Sequence, residues 1–215
     1  MSGLQAVWEA RDLFLTGAWM TLTLVALCLV LSVPLAMLAH MVCAEGPSAI
    51  SNALRLSADG LRCVPFLLLA YLVYYGLPTF GLRLDSYTAG LATLVLYNAA
   101  YFLEIFRSQS FVIPPETREA AEAFGFSRRK LYQRILFPQL LRTSLPMLGN
   151  QAVMVMKDSA LLMIITVEEL TFAANFVSAN NFKPFAPFVM AVIIYWLYSL
   201  LIDAAVRRLQ RRSMR

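Results

Sequence analysis

Histidine occurs once in these 215 residues and cysteine three times, so the side chains that most often hold metals or form nucleophile–base pairs are nearly missing. Cys28, Cys43 and Cys63 have no metal-ligand spacing and cannot all pair with one another, which excludes a disulfide scaffold and leaves them as free thiols. His40 ends an apolar run without a set of partners that completes a metal site or a triad, and it reads as an interfacial residue. Charge is scarce as well: 14% of the residues are charged, against about 25% in an average soluble domain. Apolar residues make up 60%, and the mean hydropathy is +0.65. This balance excludes a disordered chain and, despite the net charge of +5, a basic nucleic-acid module. What the composition fits is an integral membrane protein.

The stretches 13–39, 63–82, 86–106 and 184–203 are nearly free of charge, and each supplies about the 20 residues that a bilayer core requires. A fifth, 143–165, is interrupted only by Lys157-Asp158. The expectation is an all-α integral membrane protein, a single domain over 1–215 with five transmembrane helices and its termini on opposite sides. The first apolar run is too long for a signal-peptide core and is expected to stay as an uncleaved helix. Basic residues fix the direction. Arg55, Arg62, the run from Arg107 to Arg142, and Arg207, Arg208, Arg211, Arg212 and Arg215 fall on one side, whereas the other has Arg11, Arg83 and Lys183. Positive residues stay inside, so the N-terminus is expected outside and the C-terminus in the cytoplasm. Pro34 and Pro146 are expected to bend or open their helices.

Gly76–Arg83 has two glycines at phosphate-loop spacing, but Leu82-Arg83 stand where such a loop needs Lys and Ser/Thr, so it reads as an outer turn. The cytoplasmic stretch 107–142 is more informative, because it is long in a chain of short loops. Pro114-Pro115 suit a helix start, Glu116, Glu119 and Glu122 favour its positive end, and Ala120, Ala121 and Ala123 are strong helix formers. Gly125 fits a left-handed stop. A helix this short is marginal alone, and Phe124 and Phe126 beside its end call for a covering partner, which makes the segment a docking element.

The run Glu119–Leu141 (EAAEAFGFSRRKLYQRILFPQLL) resembles the loop motif of permease subunits of ATP-binding-cassette importers: Glu119-Ala120-Ala121, then Gly125, Ile135 and Pro138. Phe137 stands where that family usually has Leu. Ala100–Arg107 (AYFLEIFR), Ile113-Pro114, Leu145–Gln151 (LPMLGNQ), Lys157–Leu161 (KDSAL) and Val167–Leu170 (VEEL) are similar to the polar amino acid branch in order and spacing. Arg62-Cys63-Val64-Pro65 departs from that branch's usual Arg-Gly-Thr-Pro. The resemblance implies a type I importer permease fold with a cytoplasmic coupling helix, in the bacterial inner membrane. It also implies a second permease subunit, two cytoplasmic ATPase subunits that bind ATP, and an extracytoplasmic substrate-binding protein. The chain itself would carry no cofactor, bind no nucleic acid and be no enzyme. Glu119, Ala120, Ala121, Phe124, Gly125 and Pro138 would form the ATPase-coupling site.

Lys157 and Asp158 are the charges deep within a span, and such groups face a bundle interior or an aqueous path. Neighbouring helix positions diverge by about 100°, so the two are not expected to bind only each other. Asn150 and Gln151, two turns earlier, extend the stripe, and the four are candidate residues of a substrate path. The alternative for the charged pair is a structural ion pair with another helix or subunit. Glu104 and Arg107 read as a local salt bridge, and Glu168-Glu169 as solvated outer charge. Two other functional classes remain from the residues alone: an ATP-independent channel or scaffold, which has no need of the docking segment, and an intramembrane enzyme, which needs catalytic clusters that a single His40 does not supply.

Overall fold

The computed structural model describes residues 3–213, and among these the chain is helical with no strand. Arg215, used above for orientation, lies outside the described residues, and so does the side chain of Arg212. A short helix, α1 (Gly3–Glu9), leads into α2 (Arg11–Glu45), whose 35 residues pass through Pro34 without a break. At 1.5 Å per residue α2 is roughly 52 Å long, well beyond a bilayer core, so its last turns stand clear of the apolar layer.

Where the sequence argument expects only a connection, the chain forms α3 (Ser48–Cys63). Its apolar side consists of small or isolated residues, with Ser51 and Ala58 buried and Leu54 and Leu61 half-buried at helical spacing, which no test for long apolar runs detects. The helix also closes the end of α2. Ser51 Oγ donates to the Val42 carbonyl at 3.2 Å and Arg55 Nη2 to the Cys43 carbonyl at 3.2 Å, satisfying acceptors that a helix end leaves free.

The second expected span, 63–82, begins at a sharp bend. Val64 and Pro65 are extended, as a residue before proline tends to be, and the axes of Ser48–Cys63 and Phe66–Phe80 differ by 105°. The second part runs from α4 (Phe66–Tyr71) through a π turn (Leu72–Gly76) and a 3-10 turn (Leu77–Phe80) to Gly81 at φ +85°. Next is α5 (Ser86–Ser110), capped by Asp85, which accepts from the Thr88 N–H at 3.0 Å. After α6 (Pro115–Ala123) and α7 (Arg128–Leu131), a π turn (Tyr132–Leu136) joins α8 (Phe137–Ser159), which continues through Pro146 and ends in a 3-10 turn (Ala160–Ile165). The chain closes with α9 (Leu170–Asn181) and α10 (Phe185–Ser213). Among the described residues, four helices are long and apolar enough to cross a membrane, and the bent pair makes a fifth candidate.

Helix α2 lies at the centre, packed along α5, α8 and α9, while α5 packs on α8 and α10 covers α8 and α9. Leu24, Cys28, Leu94, Phe102, Phe106 and Met156 form the main core, and Phe14, Ala18, Leu170, Ala174 and Val177 a second one. Trp19, Val30, Trp196 and Leu201 point outward, as lipid- or partner-facing residues do.

At the second core, Gly17 lets α2 approach the start of α9. A Cβ there would stand 2.9 Å from the Glu169 carbonyl oxygen and 3.1 Å from Leu170 Cα, both backbone atoms that cannot swing aside. Gly17→Ala is therefore expected to cost about 1–3 kcal/mol. A lower thermal midpoint in detergent would show it, while an unchanged midpoint would mean that the two helices separate freely.

Candidate functional site

Two groups of residues have the make-up of functional sites, one around α6 at one end of the bundle and one within it. The first is built on α6. Its end is closed by a Schellman-type pair of hydrogen bonds: the Phe126 N–H donates to the Ala121 carbonyl at 3.1 Å and the Gly125 N–H to the Glu122 carbonyl at 2.9 Å. Gly125 takes φ +75°, the left-handed conformation expected of it, and no atom lies within 4 Å of where its Cβ would be. Side chains are excluded there by the backbone rather than by crowding. Glu119 and Ala120 are exposed, and Phe124 is 83% exposed at the tip, whereas Phe126 is half-buried. Ala121 is buried at 4% exposure, so its small size serves the fold of the segment itself and not a close approach from outside.

Pro138 is half-buried at the start of α8, directly after the π turn. Proline has no N–H and crowds the carbonyl four residues earlier, and the wider turn before it takes up that mismatch while the helix continues.

The centre of this region is Glu45, which the sequence reading passes over. Its Oε1 accepts from Arg118 Nη2 at 2.6 Å and Tyr132 Oη at 3.0 Å, and its Oε2 from Arg128 Nη1 at 3.1 Å. Arg118 also donates through Nε to Glu122 at 3.1 Å, which orients its guanidinium on α6. Burial opposes ionisation of Glu45, but the hydrogen bonds from Arg118 and Tyr132 and the charges of Arg118 and Arg128 outweigh it and hold the carboxyl below its ordinary range. Burial and the neighbouring carboxylate push the Tyr132 phenol up to about 12, so it remains a donor. One signal was available in sequence: an acid in the last turn of a helix faces the negative end of the dipole and needs compensation.

Within the bundle, the structure divides the four candidate path residues between two faces of α8. Gln151 and Asp158 are half-buried toward α5, where Gln151 Nε2 donates to Asn98 Oδ1 at 2.8 Å and the Asn98 side chain also serves Asp158. Asn150 and Lys157 are exposed on another side, and among the described residues Lys157 forms no ion pair with Asp158 or any other acid. Asn98, fully buried and bound to the Leu94 carbonyl at 3.0 Å, is a further member that the sequence reading did not single out.

Two smaller expectations change. Glu104 does pair with Arg107 at 2.9 Å, but Arg62 joins them at 3.1 Å, tying the α3 end to α5. Glu169 is not solvated: it is fully buried, accepts from the Thr171 and Phe172 N–H groups at 2.9 and 2.8 Å as the cap of α9, and receives Tyr195 Oη at 2.6 Å. Glu168 is the exposed member of the pair.

Residues 32–215 match the family described as binding-protein-dependent transport system inner membrane component. The chain is 31% identical over 209 residues to the glutamine transport system permease protein GlnP of Escherichia coli K12, covering 96% of this chain and 95% of that one. It is 30% identical over 213 residues to the histidine/lysine/arginine/ornithine transport system permease protein HisQ of the same organism, covering 92% of each. A crystal structure of an amino acid ABC transporter with histidines contains a chain that superposes with a TM-score of 0.88 at 26% identity, over 99% of both chains.

For the segment around Gly125, a side chain in the left-handed conformation costs roughly 1–2 kcal/mol. Gly125→Val is expected to leave membrane insertion intact and to weaken ATPase association or the yield of uptake per ATP. Arg129→Gln is expected to be silent, since Arg129 is exposed with no ion pair among the described residues. Uptake and ATP hydrolysis in proteoliposomes measure both; wild-type values for Gly125→Val would remove this turn from the coupling path.

Proposed function

The chain belongs to the binding-protein-dependent transport system inner membrane component family, and on that premise we propose that it is the transmembrane channel subunit of an ATP-driven importer that carries a polar amino acid or related solute into the cytoplasm. The observation that carries the reading is the α6 segment: a capped helix ending in a left-handed Gly125 and an exposed Phe124, placed between α5 and the helix that begins at Arg128. It has the form of a surface for a cytoplasmic partner.

The partners in this reading are an ATPase that receives Phe124 and Ala120, a second permease subunit beside the first, and an extracytoplasmic binding protein. ATP is bound and hydrolysed on the ATPase, and this chain supplies no catalytic residue. The arrangement of basic residues supports an N-terminus outside and a C-terminus inside. Asn150 and Lys157 line the substrate route, with the Lys157 ammonium available to a substrate carboxylate, and Asp158 and Gln151 hold the other face of α8 against Asn98. An exposed cation at membrane depth, paired with no acid among the described residues, supports this, because such a charge needs an aqueous path or a charged guest.

Co-purification with the ATPase and ATP-dependent uptake of a labelled amino acid in proteoliposomes test the reading. ATP bound tightly by the isolated chain would overturn it. Lys157→Met keeps the apolar stem and loses the charge, so uptake is expected to fall about tenfold or more, a loss of one charge-assisted contact, with assembly unchanged. Asp158→Asn is expected to be milder because an amide can still bond Asn98. Wild-type uptake by Lys157→Met would place the route elsewhere, and loss of assembly would make Lys157 a subunit contact.

A further inference from the structure

The structure assigns to Glu45 the role of a positioning residue that passes movement of the coupling helix to the first membrane helix. The inference rests on the importer reading, and its observations are independent of the sequence motif that led there.

Three features carry it. Glu45 ends α2 and gathers donors from both sides of the Gly125 turn: Arg118 from α6 before it, Arg128 and Tyr132 from the helix after it. One carboxylate therefore joins the end of α2 to two pieces of chain that lie 73 to 87 residues further on in sequence. Second, the link stands between open grooves rather than in closed apolar packing: spaces of about 440 and 610 Å³ flank it, and Tyr132 and Phe137 line both. Third, the donors are oriented. Arg118 is held to Glu122 on its own helix while it reaches Glu45, so displacing α6 displaces the guanidinium with it.

The receiving end is suited to the task. From Glu45, α2 runs roughly 25 Å at 1.5 Å per residue to Cys28. Cys28 is fully buried, with its thiol 3.5 Å from the Leu94 carbonyl, which also holds the Asn98 amide beside Gln151 and Asp158. A pull on the end of α2 thus arrives at the residues that position the inner face of α8.

The test uses the complete complex with its ATPase and binding protein in proteoliposomes, and reads solute taken up per ATP hydrolysed. Uptake by the wild-type complex tests the importer reading, and only the variants test the link. In Glu45→Gln the ratio is expected to fall about tenfold, within the range of measured coupling effects, with ATPase association and hydrolysis retained. Arg118→Gln should fall less, because Arg128 and Tyr132 still reach Glu45, and Glu45→Gln combined with Arg118→Gln should be no worse than Glu45→Gln alone, since the Arg118 contact is among those that Glu45→Gln already weakens. A structural defect alone would lower uptake and hydrolysis together and leave the ratio unchanged. A wild-type ratio in Glu45→Gln, or losses that multiply in the double variant, would overturn the inference. If Glu45→Gln fails to assemble, Arg118→Gln decides alone, because its half-exposed guanidinium leaves the core intact, and a wild-type ratio there overturns the inference as well.

Discussion

In lipid the hydrocarbon around a helix is as apolar as its leucines, so burying one apolar face against another gains little, and polar contacts take over the task of setting how helices sit together. This chain follows that constraint throughout. Its outward faces carry tryptophan, leucine and valine, and its fully buried side chains include Thr21, Ser32, Asn98, Ser144, Ser159 and Glu169. Four helix pairs have a polar contact across them: Glu169 with Tyr195 between the α9 start and α10, Asn98 with Gln151 between α5 and α8, Arg62 with Glu104 between α3 and α5, and Glu45 with Arg118 between α2 and α6. Close backbone approach supplements them, as at Gly17 against Glu169.

In the proposed orientation the segment around Gly125 lies in the cytoplasm and meets a different demand, because it has water on one side and must still hold a fixed shape. Two local irregularities supply that shape. Gly125 turns the chain by adopting a left-handed conformation at no steric cost, and the π turn before Pro138 lets a helix that begins in the cytoplasm run on toward the membrane. The small residue next to the turn, Ala121, is buried inside the segment, while the large one, Phe124, stands out from it. Compactness belongs to the segment, and the exposed ring to its partner.

Much of this was legible in sequence, and the part that was not has a physical pattern. Long apolar runs announced α2, α5, α8 and α10, and Pro114-Pro115 and Gly125 marked the limits of α6, because those signals are local. α3 escaped because its buried stripe is made of Ser51, Ala58 and isolated leucines. The bend at Val64-Pro65 lies at the edge of what reads as one span, where the proline was visible. Glu168 and Glu169 are identical side by side, and only the cap position before α9 makes one solvated and the other buried. Glu45 was the hardest to see, since all three of its partners are distant in the chain.

The same contrast between neighbours applies to Lys157-Asp158. Two opposite charges in adjacent positions look self-neutralising on paper, yet on a helix they point to different sides, and the structure gives each a different surrounding. The acid turns inward, beside Asn98, whose side-chain oxygen accepts from Gln151. The ammonium turns outward with no acid to meet it among the described residues, so its requirement is left to whatever occupies that side of α8. A carboxylate fixed on the inner face would hold the helix in place while the outer face is emptied and refilled. Placing both charges on one face would have satisfied the pair and left the outer face with nothing to offer a charged solute.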